Sequence, residues 1–272
     1  MGGAGEVKVE LRERPAGGGR VAFVSIAAAH RLNLLDSALM LRFAEAMAGL
    51  SGQAGLRAAV VSGAAQRPFV GGADIREMGA LRDREEARAF IELVHGCCRA
   101  VRDCPVPVIA RIEGYALGAG LELAAACDLR IAAADARFGM PEVRVGIPSV
   151  VEAALLPMLI GWGRTRRLLL LGEIIGAAEA LEWGLVERVA PASGLDDAVE
   201  DWLGHLDAAG PAALRSQKAL MRQWENLPAD RAIAAGIDAF AAAWSGDEPA
   251  RMMRRFLERP RPAGAAGRGG AG

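Results

Sequence analysis

A chain of 272 residues, 52% apolar and 24% charged, has enough hydrophobic material for a sizeable core and is no disordered polymer. Its 32 basic and 33 acidic residues nearly cancel, which argues against a general nucleic-acid binder. Cys97, Cys98, Cys104 and Cys127 have neither disulfide-framework nor metal-ligand spacing and read as reduced core thiols, and His30, His95 and His205 lie in no metal motif.

The opening residues are Gly-rich and then charged, without an apolar leader, and Glu6 stands where a myristoylation signal needs Ser or Thr. The most apolar stretch, 149–163, contains Glu152 and Pro157 and is too short to span a bilayer. The expected location is cytoplasmic, with no membrane partner.

In chain order, Val7–Leu11 reads as an edge strand and Arg20–Ile26 as a second strand. Residues 36–50 place Leu39, Met40, Phe43, Met47 and Leu50 at helical spacing, and Leu56–Ser62 is a short Val-rich run of the buried-strand type. A charged helical region starts at Ile75 and continues from Arg82 to Val101. Val106–Ile112 is a strand, Gly118–Ala126 an apolar helix and Asp128–Ala132 a strand. This alternation predicts a parallel, helix-covered α/β sheet. From about Ala153 the strands give out, and helical patterns follow at 153–159, 164–171, 177–183, 195–206, 212–226 and 232–244. The expected organisation is an α/β core over 1–195, a helical region over 196–258 and a disordered Pro/Gly-rich tail over 259–272. Tyr115 and Trp162, as single aromatics, read as core before pocket lining. Arg251, Arg254, Arg255 and Arg259 read as a solvated helix face.

Two places join a strand to a helix through small residues, one at 67–75 around Gly71-Gly72-Ala73 and one at 112–123 around Gly118-Ala119-Gly120. Small residues let backbone turn sharply and approach a ligand, and the first amides of a helix have no internal acceptor. Two such turns meeting at one point would form an oxyanion hole; either alone is equally consistent with close helix–strand packing. The run from Gly118 lacks the third glycine of a dinucleotide site, because Leu123 occupies it, and it comes too late in the chain. Glu122 lies on an otherwise apolar helix and Glu142 follows Pro141 between apolar residues. Each is either a pocket carboxyl or, more simply, a helix-dipole charge and a loop surface charge.

Four segments taken together resemble the enoyl-CoA hydratase (crotonase) superfamily: Phe69-Val70-Gly71-Gly72-Ala73-Asp74-Ile75, then Gly114–Leu123 with Ala126–Ala132, then Phe138–Pro148, then Leu171–Glu173 with Ala177–Val186. The resemblance covers about Val21 to Phe256. It implies a crotonase-like fold of ββα repeats with a helical C-terminal trimerisation region. The implied activity is addition of water across the C2=C3 bond of a 2-enoyl-CoA, with no cofactor beyond the CoA of the substrate and no metal.

It further implies that the amides of Ala73 and Ala119 form the oxyanion hole, that Glu122 activates water and that Glu142 exchanges a proton with C2. The substrate is expected against Arg67, Val70, Gly71, Gly72, Asp74, Ile75, Leu117, Gly118, Pro141 and Ser149, with Asp74 chiefly a helix cap. The implied assembly is a homotrimer or dimer of trimers. A Δ3,Δ2-enoyl-CoA isomerase, an acyl-CoA hydrolase or lyase, and a non-catalytic CoA or RNA binder are the alternatives. One departure stands out: where the family often has Pro-Gly-Ala-Gly-Gly, this chain has Pro148-Ser149-Val150-Val151-Glu152, after a loop one residue shorter.

Overall fold

The computed structural model describes residues 5–14, 18–64 and 68–258. The tail expected over 259–272 lies outside them, as does Arg67. The elements in order are β1 (Glu6–Glu13), β2 (Arg20–Ala27), α1 (Ser37–Gly49), β3 (Leu56–Gly63), α2 (Ile75–Gly79), α3 (Arg84–Asp103), β4 (Val108–Ile112), β5 (Tyr115–Leu117) and α4 (Ala119–Ala126). They continue with β6 (Leu129–Ala133), β7 (Arg137–Gly139), α5 (Leu156–Leu171), β8 (Ile174–Gly176), α6 (Ala177–Trp183), β9 (Arg188–Ala190), α7 (Leu195–Ala208), α8 (Pro211–Trp224), α9 (Ala229–Ala243) and α10 (Glu248–Leu257).

The large sheet has the order β1-β2-β3-β4-β6-β9, parallel except for the antiparallel β1–β2 edge. β3 is buried from Leu56 through Val61, as a central parallel strand covered on both faces must be. β1 alternates charge with apolar residues (Lys8, Glu10, Arg12), which discourages pairing at its free side. The small sheet β5-β7-β8 pairs β5 with β7 in parallel and β7 with β8 antiparallel. One face of the large sheet packs Val24, Ile26 and Val61 against Leu39, Phe43 and Met47 of α1 and Phe90, Val94 and Cys98 of α3. The other face packs Val21, Val60, Ile109 and Ile131 against Leu195, Val199 and Leu203 of α7.

Three sequence expectations need correction. Strands do not end at 153: β8 and β9 follow, and β5 and β7 precede them, each of three residues and therefore too short to show periodicity. The charged helical region is two helices, because Asp83 caps α3 by accepting from the Glu86 amide at 2.9 Å. Trp162 and Tyr115 are exposed, Trp162 with its ring under Arg166.

The chain divides into compact units Met1–Ala209 and Gly210–Gly272. α7 therefore belongs with the sheet it covers, and not with the region 196–258. In the second unit α8 packs on α9, and the Glu248 carboxylate accepts from the Ala212 and Ala213 amides at the start of α8, at 3.1 and 2.9 Å. Among the described residues no helix is long and apolar enough to cross a membrane.

The C-terminal end of α7 is held by a buried cation. Arg57 Nη2 on β3 donates to the carbonyls of Leu206, Asp207 and Ala209 at 2.9, 3.0 and 2.7 Å. Positive charge at a helix C-terminus satisfies carbonyls that the helix cannot. Arg57→Ala is expected to lower the unfolding free energy in urea by about 1.5–3 kcal/mol; a loss under about 0.5 kcal/mol would show that α7 does not depend on this contact.

Candidate active site

The two glycine-rich turns lie side by side. Val70 donates to the Tyr115 carbonyl at 3.0 Å and accepts from Leu117 at 3.1 Å, forming a parallel bridge between the first turn and β5. A Cβ on Gly120 would collide with the Val70 carbonyl, so glycine there lets α4 come against the first turn. Gly72, at φ +122°, faces the Leu117 carbonyl.

The first turn is gripped from its other side by residues 32–35. Gly71 donates to Leu32 O at 2.9 Å, Leu35 to Gly72 O at 2.9 Å and Asp74 to Leu35 O at 2.8 Å. Asn33, fully buried and at φ +57°, ties these strands of chain together: its Nδ2 donates to Ile26, Pro68 and Phe69 carbonyls, and its Oδ1 accepts from Ala28 N at 2.7 Å. Asn33 was not anticipated. Its only sequence signal is an Asn inside the polar joint between a strand and a helix, where left-handed backbone is common.

Among the described residues, neither Ala73 N–H nor Ala119 N–H has a protein acceptor. Ala119 is the first residue of α4, so helix geometry itself withholds a partner from its amide. Asp74 caps α2, accepting from Arg76 N at 2.8 Å, while Ile75 is exposed.

Glu122, one turn into α4, is 4% exposed. Pro141 starts the short 3₁₀ turn Glu142–Val145 that carries Glu142, and Glu142 Oε1 lies against Gly118 so closely that a Cβ there would strike it. Gly118 also has φ +51° and ψ −121°, a conformation for glycine alone. Glu142 is thereby beside the N-cap of α4. Ser149 Oγ donates to Glu142 Oε2 at 2.8 Å, so Ser149 acts here through its side chain.

Burial pushes Glu122 up to about 8, and the Glu142 carboxylate adds to this, with Glu152 contributing less; the amides of Ala153 and Val150 pull the other way. Glu142 is also raised, mainly by burial, against the Ser149 hydrogen bond. The Glu142 charge favours the protonated form of Glu122, so the two carboxyls hold a single proton between them over an intermediate pH range. Cys97 and Cys98 are buried thiols that burial keeps protonated, Cys97 being pushed up to about 12, which makes both poor nucleophiles. Among the described residues no His, Cys, Asp or Glu cluster could hold a metal.

The grip on the first turn is testable. Asn33→Ala strands the Pro68 and Phe69 carbonyls and the Ala28 amide in the interior, leaves Ile26 O with the Ala64 amide, and is expected to cost at least about 3 kcal/mol in urea unfolding. A loss below about 1 kcal/mol would mean that the turn holds without it.

Residues 17–263 match the sequence profile of the family described as enoyl-CoA hydratase/isomerase. The crotonyl-CoA hydratase of Syntrophomonas wolfei is 34% identical over 84% of this chain and 88% of its own length. The short-chain-enoyl-CoA hydratase of Clostridium acetobutylicum is 32% identical over 89% of this chain and 92% of its own. The enoyl-CoA hydratase structure from Mycobacterium smegmatis superposes with a TM-score of 0.86, at 28% identity, over 93% of this chain and 97% of that one. With its profile matched nearly end to end and its α/β fold shared with solved relatives, the chain belongs to the enoyl-CoA hydratase/isomerase family.

Proposed function

We propose that this protein is an enoyl-CoA hydratase that acts on a 2-enoyl-CoA thioester. The observation carrying this reading is that the two glycine-rich turns meet at Val70 with the amides of Ala73 and Ala119 unpartnered among the described residues, while Glu142 lies against Gly118 and raises the proton affinity of Glu122. The relatives named above for hydration of crotonyl- and short-chain enoyl-CoA support it.

In this reading the thioester oxygen accepts from both amides, which stabilise the negative charge that grows there as water adds at C3. Glu122 takes a proton from the water, and Glu142 delivers one to C2. Base and acid are each neutral or charged in turn, so one proton shared by the pair suffices for a cycle. Burial favours that proton on Glu122. The reactive arrangement therefore requires its transfer to Glu142 before attack, and the water between the carboxyls is the natural carrier. Ser149 fixes which way the Glu142 carboxyl turns. Amides and carboxyls supply charge stabilisation and both proton transfers, so the proposed chemistry needs no metal or redox cofactor. The 68–75 and 117–118 backbone would lie along the thioester.

The C-terminal unit supports self-association. Ile233, Ile237 and Phe240 recur on one face of α9, Trp244 follows at its C-cap, and each is more than half exposed, a larger apolar stripe than a lone chain keeps in water. We read it as part of a contact within a homotrimer or a dimer of trimers.

A Δ3,Δ2-enoyl-CoA isomerase or an acyl-CoA hydrolase or lyase is the second reading, and the Ser149–Glu152 stretch favours it because bulkier and charged residues replace small ones there.

Crotonyl-CoA should lose its enoyl absorbance and gain the mass of water. Glu122→Gln and Glu142→Gln should each lower kcat by about 10²–10⁴-fold with little change in KM. Above pH about 8 both carboxyls are ionised and no proton is left for C2, so kcat/KM should fall there. Free CoA release without hydration, or double-bond migration alone, would replace this reading with the second one.

A further inference from the structure

Glu152 is a third buried carboxyl in this corner, and the proposed reaction gives it no task. It is 6% exposed, on the 3₁₀ turn Val151–Leu155 that packs against α4 and α3. Its Oε1 is hydrogen-bonded to His95 Nδ1 of α3 at 2.9 Å, while its Oε2 is buried with no partner among the described residues. His95 itself is half-exposed, so the pair runs from the solvent into the site wall.

The turn that carries Glu152 is under strain. Val151 has φ +38°, a left-handed conformation that a β-branched residue adopts only when its surroundings impose it. The residues on either side, Val150 and Ala153, are those whose amides face the Glu122 carboxyl, and Ala153 N also closes the turn onto Val150 O at 2.9 Å. Ser149, one step earlier, holds Glu142. A single short segment thus touches both members of the carboxyl pair, and its only buried charged anchor to the neighbouring helices is Glu152.

We infer that Glu152, anchored by His95, is a positioning residue for Glu122: it clamps the strained 150–153 turn whose amides face that carboxyl and sets another carboxyl beside it. The groups facing Glu152 are His95, Cys97 and Cys98 from α3 and Glu122 from α4; α5, which continues directly from the turn, has no charged residue before Arg164. Burial keeps both thiols protonated, so Glu122 and His95 are the groups whose charge Glu152 can feel. The negative charge of Glu152 is one cause of the high proton affinity of Glu122. The inference rests on the hydratase reading for the task of Glu122, but not for the clamp.

The test follows the Glu122 proton directly and through turnover. An infrared difference titration should show a protonated-carboxyl band that ionises near pH 8 and is lost in Glu122→Gln. In Glu152→Gln, which keeps a hydrogen bond to His95, that band should ionise roughly one pH unit lower, the size of effect an adjacent like charge produces. The alkaline fall of kcat/KM should move with it. Glu152→Ala should lower kcat about tenfold or more with KM little changed, and Glu152→Gln should restore most of it. A band unmoved in Glu152→Gln, or equal kcat in the Ala and Gln variants, would overturn the inference. Failure of the wild type to hydrate any enoyl-CoA would sink the functional reading alone, because the infrared titration decides without turnover whether Glu152 sets the Glu122 proton, and the band of Glu152→Ala should differ from that of Glu152→Gln if the clamp holds the turn.

Discussion

Everything in the site depends on the contact between two backbone turns at Val70. There the first turn borrows hydrogen bonds from β5 and presses its carbonyl against the glycine at 120. Any side chain at that position would push α4 away and carry the Ala119 amide and Glu122 with it. The large sheet makes this contact possible by fixing β3 and β4 as neighbours, so that the chain leaving each passes the same place. The site is thus a property of main-chain geometry first, and side chains enter a frame already built.

That frame also explains its electrostatics. Placing Glu122 on a fully buried helix raises its proton affinity, and placing Glu142 beside Gly118 adds the repulsion of a like charge. Lone carboxylates in such a setting would be costly; a shared proton, the Ser149 hydroxyl and the 150–153 amides reduce that cost. Low dielectric then strengthens every remaining dipole, including the two unpartnered amides.

Local pattern singled out Gly71, Gly72, Gly118 and the glutamates at 122 and 142 as candidates, because small residues at strand ends and a carboxyl on an apolar helix sit oddly with ordinary packing. It left them equally open to a structural role, and only the resemblance to a known family drew them into one proposed site. The Asp74 cap was legible for the same local reason. What escaped depends on contacts distant in the chain. Asn33 matters through carbonyls about 35 residues away, and His95 meets Glu152 across 57 positions. The strands of three residues are held by their neighbours and not by their own propensity. α7 looked like the start of a helical region, because nothing local reveals that Leu195, Val199 and Leu203 cover the back of the sheet.

The most direct test of the account is a crystal structure with an unreactive 2-enoyl-CoA analogue. The thioester oxygen should lie about 2.7–3.1 Å from both Ala73 N and Ala119 N. A water should bridge the carboxyls of Glu122 and Glu142 on the side of C3. A thioester oxygen bound to solvent or to other donors, with the two amides still unpartnered, would contradict it.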